Sequence, residues 1–127
     1  MKLLLDTHVV LWLAENSPKL SEVVKTALMS EHHQRYVSVA SAWEIAIKIS
    51  ANKLALQGGL EEYYKMIESN GLQLLPVERK HIQLVETLPF LHRDPFDRLL
   101  ISTALTEEMM ILTADENIHK YEVPWIW

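Results

Sequence analysis

A chain of 127 residues has the length of one domain. Hydrophobic residues make up 49% of it, which suffices for a buried core without cross-links. The formal net charge of −5 argues against a protein that coats nucleic acid with a positive surface. The chain has no cysteine, which excludes disulfides, thiolate metal sites and cysteine nucleophiles and suits a reducing cytoplasm. We therefore expect one cytoplasmic domain over residues 1–127. Asp6 interrupts the N-terminal leucines too early for a signal peptide, and no apolar run approaches the roughly 18 residues of a membrane span.

The N-terminal half alternates predicted strands and helices. Lys2–Leu5 is a short apolar run that ends at an acid, which is typical of a buried parallel strand. Apolar residues at near-helical spacing follow, up to a break at Ser17-Pro18. An amphipathic helix is predicted over Leu20–Met29. A second strand, Tyr36–Val39, then leads into a helix over Ser41–Ala51.

The C-terminal half continues the alternation. The helix beginning at Asp94-Pro95 has proline at its first position, where the missing N–H does no harm. The predicted elements are helices over 60–68 and 78–88, a helix from 95, a helical turn over 115–120, and strands over 72–77, 109–113 and 123–127. Strands that alternate with helices predict an α/β fold, with a mainly parallel sheet covered on both faces.

Four acidic residues, Asp6, Glu44, Asp97 and Asp115, fall where predicted strands end or helices begin. In an open α/β sheet such positions meet at the carboxyl edge, where ligands bind. Four carboxylates at one edge repel each other unless a positive charge lies among them. Mg²⁺ is a hard ion that binds oxygens and bridges carboxylates to phosphates, so the pattern indicates a metal site for phosphoryl chemistry.

Helix capping is the alternative explanation of the same acids. Ser41–Glu44, Asp94–Asp97 and Thr113–Glu116 all have the spacing of a capping box, and Asp6 is a favoured N-cap residue. Each acid considered alone is better explained by capping. Their joint position at one sheet edge favours the metal site.

Other catalytic sets are missing. The chain contains no nucleophile elbow, no pair of histidines four apart, no Walker loop and no dinucleotide fingerprint. His8 and His92 lie near the acids and are candidates for substrate contact. The tryptophans are interpreted as core or interface anchors. The sequence does not decide between core and interface for Trp12 and for the apolar end of the chain, Trp125–Trp127.

Four blocks of sequence resemble one known family. They are "LLLDTHVVLWL", "SVASAWEIAIKIS", "RDPFDRLLISTAL" and "ILTADENI". In their order, their spacing and their coverage of the whole chain they resemble the PIN-domain family, and they are most similar to the small VapC-type toxins of toxin–antitoxin pairs. The resemblance implies a three-layer α/β/α fold and a Mg²⁺- or Mn²⁺-dependent endoribonuclease. It also implies a homodimer and a cognate antitoxin protein that inhibits it.

The resemblance also implies roles for individual residues. Asp6, Glu44, Asp97 and Asp115 match the family's acidic quartet, which holds metal and carries the catalysis. Asp97 is preferred to Asp94 because it directly precedes the "RLLISTA" stretch. Three polar residues match supporting positions: Thr7, Thr113 and Asn117.

Two other functions stay open. A phosphatase of the haloacid-dehalogenase type also has an aspartate after its first strand, but it needs a second acid two residues later, where this chain has His8. A PIN-like module that binds or regulates without cleaving RNA would fit the same blocks. Metal-dependent cleavage of RNA separates the nuclease from the binding module.

Overall fold

The protein is built on a five-stranded sheet in which all neighbouring strands run parallel, in the order β3-β2-β1-β4-β5. The computed structural model describes residues 1–127. The strands are β1 (Lys2–Leu5), β2 (Gln34–Ser38), β3 (Gln73–Leu75), β4 (Met110–Leu112) and β5 (Trp125–Ile126). The order reverses between β1 and β4, and such a reversal is where open α/β sheets bind ligands.

Helices cover both faces of this sheet. They are α1 (Thr7–Ala14), α2 (Glu22–Met29), α3 (Val39–Ser50), α4 (Gly59–Ser69), α5 (Arg79–Val85), α6 (Pro95–Glu107) and α7 (Glu116–His119). None of the seven has the length and apolar character that crossing a bilayer would require. The predicted three-layer α/β/α fold with a mainly parallel sheet is therefore confirmed.

The central strand β1 separates two hydrophobic cores. Leu3 and Leu5 pack into a core that includes residues of α1 to α4, whereas Leu4 packs into a second core with residues of α6 and α7. Successive strand side chains point to opposite faces, so one run of leucines serves both cores. All three leucines are fully buried, as expected for the middle of a parallel sheet.

Several predicted boundaries are corrected. Helix α3 begins at Val39 rather than Ser41, because Ser38 is its N-cap and accepts a hydrogen bond from the Ala40 N–H. The capping box predicted at Ser41 is therefore wrong. The box predicted at Thr113 is also wrong, because the carboxylate of Asp115 itself caps α7.

Candidate active site

The sheet order places the four predicted acids around one edge. Asp6 directly follows β1, and Asp115 follows the neighbouring strand β4 by a short loop. Glu44 lies on α3, the helix that follows β2 in the chain, and β2 is the other neighbour of β1 in the sheet. Asp97 lies in the first turn of α6. Three adjacent parallel strands thus deliver their following segments to the same carboxyl edge, as the pattern of acids indicated.

Two adjoining spaces at this edge are lined by the acids. Asp6, Glu44 and Asp97 line a narrow cleft of about 10 Å³, roughly the space that one water molecule needs. Asp115 does not line that cleft, and it shares a hollow of about 320 Å³ with Asp6. Asp6 therefore borders both spaces.

Asp6 is held in place through both carboxylate oxygens. Oδ1 accepts a hydrogen bond from the backbone N–H of Thr7 at 2.7 Å, and Oδ2 accepts one from the Thr113 hydroxyl at 2.8 Å. The same Thr113 oxygen accepts from the backbone N–H of Asp115 at 3.0 Å. Thr113 thus links the segments after β1 and β4.

Glu44 is nearly buried, and each of its carboxylate oxygens has a polar partner. Its Oε1 accepts a hydrogen bond from the Thr7 hydroxyl at 2.7 Å, and its Oε2 lies 2.8 Å from the ammonium of Lys48. The Thr7 hydroxyl also lies 3.0 Å from the hydroxyl of Ser41. This network fixes Glu44 in one orientation at the wall of the cleft.

Asp97 has a strongly raised pKa. Burial raises the pKa of its carboxyl to about 8, and repulsion from Asp6, Asp94, Asp115 and Glu44 adds to the effect. Burial likewise raises the pKa of Asp6, against the opposing effect of its hydrogen bonds. The carboxyl of Asp97 is therefore affected by the charges of acids that come from distant parts of the chain.

One close group of candidate metal ligands at this edge is a different set from the four predicted acids. Ligand atoms of His92, Asp94 and Asp97 all lie within 4.8 Å of one another, with His92 Nε2 2.9 Å from Asp97 Oδ2. Asp94 is committed elsewhere, because its Oδ1 accepts from the N–H groups of Phe96 and Asp97 at the start of α6. Asp94 therefore has a capping role of its own.

A second group, Glu78, His81 and Glu107, joins α5 to α6 away from the acidic edge. The Nδ1 atom of His81 accepts from the Glu78 N–H at 3.0 Å, and its Nε2 lies 2.8 Å from Glu107 Oε1. Both ring nitrogens are thus occupied by protein partners. We interpret this group as a structural link between the two helices.

Capping accounts for only some of the acids. Asp6, Asp94 and Asp115 each accept a hydrogen bond from a backbone N–H at the start of a helix. The side chains of Glu44 and Asp97 accept none; their partners are Thr7 with Lys48, and His92. Capping therefore leaves two nearly buried carboxyl groups unexplained.

The third predicted supporting residue, Asn117, contacts the site through its backbone. Its N–H donates to Asp115 Oδ1 at 2.8 Å, while its side-chain oxygen accepts from Lys120 at 3.1 Å. The side-chain amide therefore faces the surface lysine in this structure.

Sequence reasoning missed three contributors to the site. Lys48 lies four residues after Glu44 on α3, a spacing that signals an ion pair on a helix. Ser41 was interpreted as a cap, although it lies buried beside Thr7. Tyr63 of α4 is fully buried and donates to the backbone oxygen of Thr7 at 3.2 Å. No local pattern predicts the Tyr63 contact, because it depends on how α4 packs.

The donor set fits a hard divalent cation. The cleft offers carboxylate and hydroxyl oxygens, with neither thiolate nor a pair of imidazoles, and this is the ligand chemistry of Mg²⁺ and Mn²⁺. Burial and then repulsion from neighbouring acids raise the pKa of Asp97, and a cation among the carboxylates would offset the repulsion. Asp6, Glu44 and Asp97, with Asp115 beside them, are the residues that would hold the ion.

The metal-free protein is expected to lose thermal stability as pH rises. Asp97 has an ordinary pKa of 3.8 and a folded-state pKa of about 8. The folded state thus binds this proton more tightly, so the stabilisation is complete below the lower value and is lost as pH rises through the higher one. Melting curves in EDTA across this range measure the effect, and Asp97→Asn should flatten them. Equal pH dependence in wild type and variant would contradict the assigned pKa.

Comparison with known proteins gives one family match. Residues 3–124 match the family model described as the PIN domain. Among curated proteins, none matches this chain in sequence.

Solved structures share the fold over nearly the whole chain. VapBC2 from Rickettsia felis, bound to a promoter DNA fragment, matches with a TM-score of 0.76 and 16% identity, covering 99% of this chain and 98% of that chain. VapBC-1 from nontypeable Haemophilus influenzae matches with a TM-score of 0.70 and 16% identity, covering 99% and 97%. A toxin–antitoxin complex from Klebsiella pneumoniae matches with a TM-score of 0.62 and 13% identity, covering 98% and 95%.

Proposed function

The chain belongs to the PIN-domain family, and we propose that it is a metal-dependent endoribonuclease, a single nuclease domain over residues 1–127. The observation that carries the proposal is the acidic cleft. Asp6, Glu44 and Asp97 meet there, and the pKa of Asp97 rises to about 8. Carboxylates gathered at one sheet edge are the ligands with which a phosphodiesterase recruits Mg²⁺ or Mn²⁺, and the cation offsets their repulsion.

Asp6, Asp97 and Asp115 would hold the metal, and Glu44 would either ligate it or orient the attacking water. When bound, one ion or a pair supplies the positive charge that activates water and neutralises charge on the phosphoryl group. The water attacks the RNA phosphodiester in line, which leaves a 3′-hydroxyl and a 5′-phosphate.

The contacts around the acids support these roles. Thr113 fixes one oxygen of Asp6, and Thr7 fixes one oxygen of Glu44. Hydrogen bonds of this kind hold metal ligands in one orientation, which preserves geometry through the reaction. The net charge of −5 is compatible with an RNA substrate, because the metal brings the positive charge locally.

One observation favours a second function, a PIN-like module that binds or regulates without cleaving RNA. The ammonium of Lys48 lies 2.8 Å from Glu44 and already neutralises one of the four acids. A protein that does not load metal would keep this pair. The phosphatase alternative gains no such support, because His8 stands where its second acid belongs.

We further propose that the nuclease is the toxin of a toxin–antitoxin pair, a homodimer held inactive by a cognate antitoxin protein. Support comes from the shared fold of a Klebsiella pneumoniae protein described as part of a toxin–antitoxin complex. A neighbouring short gene that encodes a DNA-binding head and a disordered tail would identify the antitoxin.

Expression of the wild-type chain alone is expected to arrest bacterial growth, and Asp6→Asn should relieve the arrest. Asp6 borders both spaces at the acidic edge, so losing its charge weakens metal binding there. Growth curves of matched strains, with expression checked by immunoblot, measure the effect. Arrest that persists in Asp6→Asn would mean that the toxicity arises elsewhere. No arrest by wild type would favour a housekeeping nuclease or a binding module.

A further inference from the structure

The hollow beside Asp6 and Asp115 has a wall of side chains that play no part in the proposed metal site. It measures about 320 Å³ and is lined by Asp6, His8, Val9, Trp12, Ala114 and Asp115. Its volume is at the small end of the range for small-molecule sites, roughly 300–1,000 Å³. Three larger hollows, of about 530, 500 and 410 Å³, are lined by none of the four acids. Only the smaller hollow adjoins the proposed catalytic carboxylates outside the cleft itself.

Helix α1 provides an aromatic wall to this hollow. His8 and Trp12 are four residues apart on the helix, so their rings lie on the same face, with centroids 6.2 Å apart. Trp127 packs edge-on against Trp12 at 5.6 Å and supports it from the hydrophobic core. A supported ring of this kind is a rigid surface on which another flat ring can stack.

A positive charge lies at the same wall. The ammonium of Lys19 is 5.6 Å from the centroid of the Trp12 ring. Lys19 does not line the hollow itself; it lies against the Trp12 ring that does. Aromatic rings combined with a cation form the usual surface for unpaired nucleotides, whose bases stack while their phosphates meet the charge.

We propose that this hollow is a nucleotide subsite, in which the base next to the scissile phosphate of single-stranded RNA stacks on Trp12, with the His8 ring tilted by 41° beside it. This inference rests on the proposed function. The scissile phosphate would lie at Asp6 and Asp115, and Lys19 would meet the phosphate on the far side of the stacked nucleotide. A stacked base fits a hollow of about 320 Å³ that opens on the acids, whereas the docked helix of a partner protein would need a longer groove.

The test is a double-mutant cycle in which one change is made in the enzyme and the other in the RNA substrate. Purified wild-type protein cleaves a single-stranded RNA, the cleaved bond is mapped, and each flanking nucleotide is replaced in turn by one that lacks its base. We expect one of the two replacements to lower kcat/KM about 5- to 150-fold, the range that stacking of one base supplies. Trp12→Leu should cause a similar loss on the intact RNA and little further loss on the RNA lacking that base. Trp12→Phe, which keeps a ring, should retain most activity.

Controls separate the subsite from general damage. The rise in melting temperature on adding Mn²⁺ should be the same in Trp12→Leu as in wild type. Tyr64→Leu, at an exposed aromatic of α4 that lines neither space at the acidic edge, should leave kcat/KM unchanged. If Trp12→Leu does not fold, His8→Ala serves in the same cycle, since His8 is not part of either hydrophobic core.

Each outcome decides the inference. If Trp12→Leu and removal of the base each lower kcat/KM by the same factor whether or not the other change is present, the ring and the base do not interact. That result would overturn the subsite and leave the proposed nuclease function standing. RNA cleavage unaffected by Trp12→Leu, together with failure of a partner protein to inhibit the variant, would assign the wall to protein binding and overturn the subsite. Failure of the wild type to cleave any RNA would overturn the proposed function and the subsite together.

Discussion

Asp97→Asn is expected to abolish RNA cleavage while leaving the metal-free protein at least as stable as wild type. The folded-state pKa of Asp97 is about 8, so near neutral pH its carboxyl is largely uncharged and resembles the amide that replaces it. At higher pH the substitution removes one of several repelling charges, and stability should rise. Cleavage should fall on the order of a thousand-fold, because losing a metal ligand raises the barrier by several kcal/mol.

Asp94→Ala is expected to show the opposite pattern. The carboxylate of Asp94 caps α6 by accepting from two backbone N–H groups. Its loss should lower the free energy of unfolding by about 1 kcal/mol, a fall of roughly 4 °C in melting temperature. Cleavage should change only a few-fold, because Asp97 is still present to hold metal.

Melting curves with and without Mn²⁺ complete this comparison. At a hundred times Kd the metal should stabilise the wild type by about 2.7 kcal/mol, or roughly 10 °C for a chain of this length. Asp94→Ala should keep most of that rise, and Asp97→Asn should lose most of it. Glu61→Gln, at an exposed acid in the first turn of α4, is the matched control and should change neither quantity.

An Asp97→Asn protein that melts lower than wild type without metal and still cleaves RNA would overturn the assignment. Helix capping would then be a sufficient account of the Asp94–Asp97 segment. A wild-type melting temperature that Mn²⁺ does not change would count against a metal site of any composition.

The sequence predicted the architecture well because the signals were local. Lys2–Leu5 is an apolar run that ends at Asp6, and Asp94-Pro95 is a helix start; both features lie where they were expected. Strand alternation then placed Asp6, Asp97 and Asp115 at one edge without any knowledge of side-chain contacts. The four-block resemblance led to the same residues independently.

What the sequence did not predict depends on packing between distant segments. The pattern at Ser41 has the form of a cap, yet Ser38 caps α3 and Ser41 turns inward to Thr7. The contact of Tyr63 with Thr7 exists only because α4 packs against α1. The pKa of Asp97 likewise depends first on burial and then on carboxylates from three other segments, and neither can be read from its sequence neighbours.

Metal-dependent cleavage by purified protein tests the central claim most directly. A 5′-labelled single-stranded RNA is incubated with wild type and with Asp6→Asn, in Mn²⁺ and in EDTA, and the new ends are identified. Asp6 lines both the cleft and the adjoining hollow, so its charge should be indispensable. We predict cleavage only by wild type in Mn²⁺, giving 3′-hydroxyl and 5′-phosphate ends. Equal cleavage in EDTA or by Asp6→Asn would contradict the account, and so would wild-type protein that binds Mn²⁺ and leaves every RNA intact.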